Sequence, residues 1–380
     1  MRILVLIHEY PPVGGGGGRV AQDLCRGLAA LGHEIRVLTA HLDGLPAVET
    51  GDGFEVIRVR SGRKEPFRAS LTAMAGYVFA SIWSGMRLIR EWKPDVIHVH
   101  FAVPAGPAAL VLSRLSGVPY VLTAHLGDVP GGTPEKTGRW FKWVYPFTPP
   151  IWKSAAAVVA VSDFTRRLAE KSYPVAMQVI PNGVDLSALD PGKITPGNPP
   201  LVVFAGRFVP QKNPLQVVRT LSELRDLPWR CAMLGDGPLR AEVEGEIDRL
   251  GLRERFILPG WIEPDDVIDW FRRSDILFMP SRSEGLPVVG VQALALGLAV
   301  VAGQVGGFVD LVEPGVNGCL FDPDKPEPAA DALRALLADP RELLAQREAS
   351  RRLAGRFDLK QIVAQYEQLL LRLEEGRQHA

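Results

Sequence analysis

Short apolar runs rich in β-branched residues recur along this chain, separated by longer stretches whose apolar positions repeat every three or four residues. Residues 3–7, 34–39, 55–58, 96–100, 120–123 and 157–161 read as strands, each ending near turn or polar residues, and 19–31 has helical periodicity. Strands alternating with helices predict βαβ units and a parallel sheet. The pattern breaks over residues 181–200, where Pro181-Asn-Gly, Asp190-Pro-Gly and Pro196-Gly-Asn-Pro-Pro crowd together as in a linker. A second series of strands follows at 201–205, 230–234, 256–258, 276–279, 299–302 and 318–321. Near the end, Leu359, Ile362, Val363, Tyr366, Leu369, Leu370 and Leu373 fall on one face of a helix, which therefore needs an apolar surface to dock on.

At 380 residues the chain exceeds the roughly 250–300 residues that one hydrophobic core serves. The predicted fold class is α/β, with two Rossmann-like domains, each carrying a parallel sheet. The boundaries read from the pattern are 1–182 and 183–358, with the helix of about 359–380 packing back on the first domain. Open α/β sheets bind ligands beyond the carboxyl ends of their strands, so the two sheets are expected to face a cleft. Closure about the 181–200 segment is expected during turnover.

Composition adds little until it is divided. Hydrophobic residues make up 47% and the formal net charge is zero, so a nucleic-acid partner is not indicated. Residues 1–195 nevertheless hold 21 Lys+Arg against 16 Asp+Glu, and the remainder carries the matching acidic excess. A basic first half could attract an anionic acceptor or a lipid surface. The three cysteines, Cys25, Cys231 and Cys319, are far apart, which fits a reducing cytoplasm, with the inner face of the membrane as a second location. The apolar run of residues 1–7 reads as a first strand rather than a signal peptide, and 69–86 as a packed helix rather than a span.

Three segments carry candidate chemistry. Glycines 14–18, Gly15, Gly16 and Gly17 among them, follow the first strand, and bare backbone there could approach an anion or an acceptor. Gly206-Arg207 and Lys212 follow the first strand of the second series, where two cations five residues apart could clamp a diphosphate. The segment Pro280-Ser-Arg-Ser-Glu284-Gly285-Leu286-Pro287-Val288 reads as strand, turn and helix start, with Gln292 further along the helix. A helix N-terminus there could hold phosphate, and Glu284 could accept bonds from sugar hydroxyls.

In this order these segments resemble the retaining glycosyltransferases of family 4, which have the GT-B fold. The resemblance is carried by the early Gly run, Gly32-His33-Glu34, Pro94-Asp95-Val96-Ile97-His98-Val99-His100, Thr123-Ala124-His125 and Ile180-Pro181-Asn182-Gly183-Val184-Asp185. Gly206-Arg207, Lys212, Gly235-Asp236-Gly237-Pro238 and Gly306-Gly307 continue it nearly to the end. It implies an acceptor-binding first domain and a nucleotide-sugar-binding second domain. Arg207 and Lys212 are then expected on the donor diphosphate, Glu284 on the transferred sugar and His125 on the acceptor side. Asn182, Gly235 and Asp236 join the substrate-binding set by the same resemblance, while His98 and His100 read as buried strand residues. One departure stands out: the family pattern Glu-x7-Glu has Gln292 at its second carboxylate, so weaker donor binding or altered nucleotide preference is expected.

The implied activity moves a hexose from a UDP- or GDP-linked donor to a glycan, lipid or small-molecule acceptor, with retention and no cofactor. The single Asp-x-Asp, Asp322-Pro-Asp324, reads as a turn, and independence from divalent metal is expected. Two other readings are a sugar-nucleotide epimerase, which would need no acceptor, and a non-catalytic sugar-nucleotide sensor.

Overall fold

A computed structural model of the chain describes residues 1–66, 69–132 and 141–378. The last two residues of the predicted terminal helix lie outside the described ones. Two compact units emerge, one of residues 1–183 with the terminal helix from Leu359, the other Val184–Asp358.

In the first unit the strands are β1 (Arg2–Leu6), β2 (Glu34–Ala40), β3 (Val48–Gly51), β4 (Phe54–Val59), β5 (Val96–His100), β6 (Tyr120–Ala124), β7 (Ala157–Ala160) and β8 (Gln178–Val179). They form one sheet in the order β3-β4-β2-β1-β5-β6-β7-β8, parallel except for the β3–β4 pair. β3 and β8 are not predicted from the pattern. β3 is exposed at every position and β8 is two residues long, so neither carries an apolar period. Alternation along β1 sends Leu4 and Leu6 to one face and Ile3 and Val5 to the other, seeding two cores.

Helix α1 (Gly16–Ala30) and the terminal helix (Leu359–Gln378) share one of those cores: Ala21, Leu24, Cys25 and Leu28 meet Ile362, Val363, Tyr366 and Leu370. Helix α2 (Leu71–Trp92) and α3 (Ala105–Ser116) cover the other face. Of the stretch 69–86, residues 71–86 thus lie in a packed helix, and no helix among the described residues is long and apolar enough to cross a membrane.

The second unit holds β9 (Leu201–Ala205), β10 (Arg230–Leu234), β11 (Phe256–Gly260), β12 (Ile276–Met279), β13 (Ala299–Gly303) and β14 (Gly318–Phe321). All pairs are parallel, in the order β11-β10-β9-β12-β13-β14. The chain winds outward from β9 in both directions, so loops after β9 and β12 diverge at the point where ligands bind in such sheets. The first sheet has the same switch between β1 and β5.

The segment 184–200 is not a free linker. Asp275 accepts hydrogen bonds from the Gly197 and Leu201 amides at 2.9 and 2.8 Å, and Arg347 donates to the Thr195 carbonyl at 3.0 Å. The chain passes between units at Gly183–Val184 and at Asp358–Leu359 instead.

Candidate functional site

In the second unit, backbone packing gathers the predicted residues at the switch point. Gly206 and Arg207 leave the end of β9, and a short turn, Pro210–Lys212, brings Lys212 back beside them. Gln211 ties this turn to the loop after β12: its side-chain amide donates to the Ser283 carbonyl, and its own carbonyl accepts from the Arg282 amide, both at 2.8 Å. Lys212 Nζ then donates to Glu284 Oε1 at 2.6 Å, with the carboxylate side chain only 7% exposed. The Arg207 guanidinium, half-buried next to this pair in sequence, has no hydrogen-bond or ion-pair partner among the described residues.

Close backbone approach explains the glycines. A Cβ at Gly235 would lie 2.1 Å from the Gly206 carbonyl oxygen, and Gly306, at φ +56°, would place one 1.6 Å from the Glu284 oxygen. Gly307 N–H donates to the Gly285 carbonyl, so the 306–307 turn lies directly on the Glu284–Gly285 backbone. Asp236 is occupied structurally: it accepts from Gly237 N–H at 2.6 Å and pairs with Arg240 at 3.3 Å. Leu286 and Pro287 are buried, and Val288 starts the helix Val288–Ala295. Gln292 is half-buried one turn further on, its carboxamide without a hydrogen bond to the described residues.

In the first unit the sequence places the Gly run before a helix, whereas the helix begins inside it, at Gly16. Steric room explains why glycines fill its first turn. A side chain at Gly17 would meet the Phe101 ring at 2.6 Å, and one at Gly18 the Glu9 carbonyl oxygen at 2.6 Å. Gly15 and Gly16 stay exposed at the helix start, and Gly14 donates to Pro66 O at 2.8 Å. Phe101, just past β5 at φ +70°, also stacks on His125, with ring centroids 4.2 Å apart. His125 follows β6 and is 7% exposed, and its Nε2 lies 3.3 Å from His100 Nδ1. His98 meets Thr123 Oγ1 at 2.8 Å, and Thr123 meets Tyr366 of the terminal helix at 3.3 Å. Asn182 is buried at the end of this unit.

Two family models cover the chain, Glycosyltransferase Family 4 over residues 14–188 and Glycosyl transferases group 1 over 189–353. D-inositol 3-phosphate glycosyltransferase of Arthrobacter is 30% identical, over 87% of this chain and 84% of its own. The chain belongs to glycosyltransferase family 4. The 2-deoxystreptamine glucosyltransferase of Streptomyces kanamyceticus is 29% identical, covering 91% of this chain and 97% of its own. The solved structure of Anabaena HepE in complex with UDP-glucose superposes with a TM-score of 0.77 at 20% identity, covering 98% of this chain and 100% of that one. The GT-B fold, two Rossmann-like α/β units with parallel sheets, is therefore the fold of this glycosyltransferase.

Sequence reasoning misses two residues that shape the glycosyltransferase's first unit. Phe101 owes its place to a positive φ that no sequence pattern announces. Asp128, three residues after His125, is 1% exposed and accepts from the Ala102 amide at 2.6 Å, which pins the turn that carries Phe101. An acidic residue so soon after a buried strand is a signal that could have been read. Asp322 and Asp324 form a turn, with Asp324 paired to Arg282 at 2.6 Å. Among the described residues no group of three or more His, Cys, Asp or Glu side chains is placed to hold a metal ion.

Burial sets the charge state of the first unit. It holds His8, His98 and His125 down at about 3 and His100 well below its usual value, with Arg63 adding to the effect at His8. Burial also pushes the Asp128 carboxyl up to about 7, against its backbone hydrogen bonds. As pH falls below about 6.5 the unfolded chain protonates all four histidines and the folded chain does not, so stability is lost on acidification. Asp128 works the other way, taking up a proton in the folded state first. The net difference approaches three protons, and the urea midpoint of this unit is expected to fall steeply from about pH 6.5 to about pH 4.5. A flat midpoint over that range, measured by circular dichroism, contradicts the assignment.

Proposed function

We propose that the chain transfers a hexosyl group, with retention, from a nucleoside diphosphate sugar held by its second unit to an acceptor served by its first. The observation that carries this reading is the Lys212–Glu284 pair with its buried carboxylate, and Arg207 leaving the adjacent strand. Two cations, Lys212 held by Glu284 and Arg207 beside it in the chain, suit a diphosphate that gains charge as its bond to the sugar breaks. Glu284, aligned by Lys212, is positioned to accept hydrogen bonds from sugar hydroxyls. His125, kept neutral by burial, acts as a hydrogen-bonding group on the acceptor side rather than as a proton reservoir. Loss of nucleoside diphosphate and attack by the acceptor hydroxyl occur on one face of the sugar, the departing phosphate oxygen receiving the hydroxyl proton.

UDP-linked glucose is the first donor to test, since HepE is solved with UDP-glucose. A polyol acceptor is favoured by the two curated relatives, whose names carry an inositol phosphate and 2-deoxystreptamine. Retention is tested on slow donor hydrolysis: an α-linked donor is expected to release the α-hexose, read by proton NMR before mutarotation. Release of the β-anomer contradicts the mechanism.

Gln292 gives a quantitative check. If it faces the ribose hydroxyls, Gln292→Glu replaces a neutral acceptor by a charged one, a gain of about 1 kcal/mol. Donor affinity by calorimetry is then expected to rise about five-fold. Unchanged or weaker binding removes Gln292 from the ribose site. The unpaired cysteines, two of them buried, fit a cytoplasmic setting.

A further inference from the structure

We propose that the outer face of α2 docks the first unit on an anionic lipid surface, a property separate from the donor site. The inner face of α2 is fully used. Ala73, Tyr77, Ser81, Gly85, Leu88 and Trp92 recur at helical spacing and are buried, with the Tyr77 hydroxyl donating to the Leu38 carbonyl at 3.0 Å. The outer face has no such partner and is nevertheless apolar. Phe79 and Trp83, one turn apart, are 74% and 81% exposed. Two large aromatic side chains held outward on a helix that is already packed do nothing for the fold. They have the size and amphipathic character that suit a headgroup layer.

Charge selects the partner. Residues 58–93 contain eight Lys and Arg against two Glu. Two of the eight are internal: Arg58 pairs with Glu49 at 2.7 Å, and Arg63 with Glu9 at 3.1 Å and the His8 ring at 3.2 Å. Arg68 lies outside the described residues, and the other five, Arg60, Lys64, Arg87, Arg90 and Lys93, are exposed, the last three in or just past the final turns of α2. Arg87 and Glu91 form an exposed pair, which leaves Arg90 and Lys93 in excess there. On the helical wheel Arg87 and Arg90 lie within about 40° of Trp83, so the basic and aromatic groups share one face. A second copy of the chain fits poorly, because an isologous contact through this face would bring its arginines against one another. With no helix able to cross a bilayer among the described residues, the helix lies in the interface plane.

The test is flotation of the whole chain with phosphatidylcholine vesicles and with vesicles containing phosphatidylglycerol. The chain is expected to float only with the anionic vesicles and to be released at about 0.5 M salt. Phe79→Ser/Trp83→Ser and, separately, Arg87→Gln/Arg90→Gln are each expected to weaken vesicle binding about ten-fold or more, with melting temperature and donor hydrolysis unchanged. Absence of binding to anionic vesicles overturns the proposal. So does binding that neither variant weakens, or a dimer in light scattering that Phe79→Ser/Trp83→Ser dissolves. Failure of the donor-site reading would show instead as absent donor hydrolysis in a chain that still floats.

Discussion

Lys212→Ala is expected to lower turnover of the donor about 10²–10³-fold, the usual loss when one fixed donor to a developing negative charge is removed. Its ammonium serves two purposes in the account. In the proposed mechanism it would face the leaving diphosphate and, through its 2.6 Å bond to Glu284, fix the carboxylate proposed to meet the sugar. The variant also leaves a nearly buried carboxylate without its partner, so some stability is lost with activity. Lys212→Ala/Glu284→Gln separates the two effects: neutralising the carboxylate restores melting temperature but not turnover. Steady-state release of nucleoside diphosphate measures the first effect. Turnover within about three-fold of the parent chain would remove Lys212 from the reaction.

Arg347→Ala is expected to destabilise the second unit by about 3–5 kcal/mol, the cost of stranding one member of a buried ion pair. Arg347 is 4% exposed and Asp275 1%. Their charged contact is supported by Arg347 Nε donating to the Gly297 carbonyl at 2.7 Å. Burial draws the guanidinium below its ordinary value, while Asp275 opposes that shift. The pair acts on the site at a distance. Asp275 precedes β12 and holds the amide that opens β9, so both strands whose far ends carry Arg207 and Glu284 are set by it. The melting transition of this unit is expected to drop by about 10 °C. An unchanged melting curve would show that the pair is dispensable.

Much of this was legible in the residues themselves. Buried parallel strands are continuous apolar runs, and β5, β9, β10, β12 and β14 have the bounds the runs predict. The terminal helix announces its docking face through Ile362, Val363, Tyr366 and Leu370, which are buried as their spacing requires. The reading fails where geometry depends on contacts far apart in sequence. Residues 181–200 read as a linker because Pro and Gly crowd there, yet Asp275 and Arg347, 75 or more residues away, fasten Gly197 and Thr195. The first glycines look like a loop, but Phe101 and the Glu9 carbonyl leave no room for side chains and a helix starts there anyway. His100 reads as a strand residue and is one, but its ring also meets His125. Lys212 and Glu284 are each visible as chemistry, while their pairing across 72 positions is not.

The most direct test of the account is to incubate the purified chain with UDP-, GDP- and ADP-sugars and measure release of nucleoside diphosphate and donor binding together. Slow hydrolysis of one donor is expected, abolished in Arg207→Ala, Lys212→Ala and Glu284→Ala, with the same donor binding in calorimetry. Absence of binding across the whole panel, by a chain shown to be folded, would contradict it.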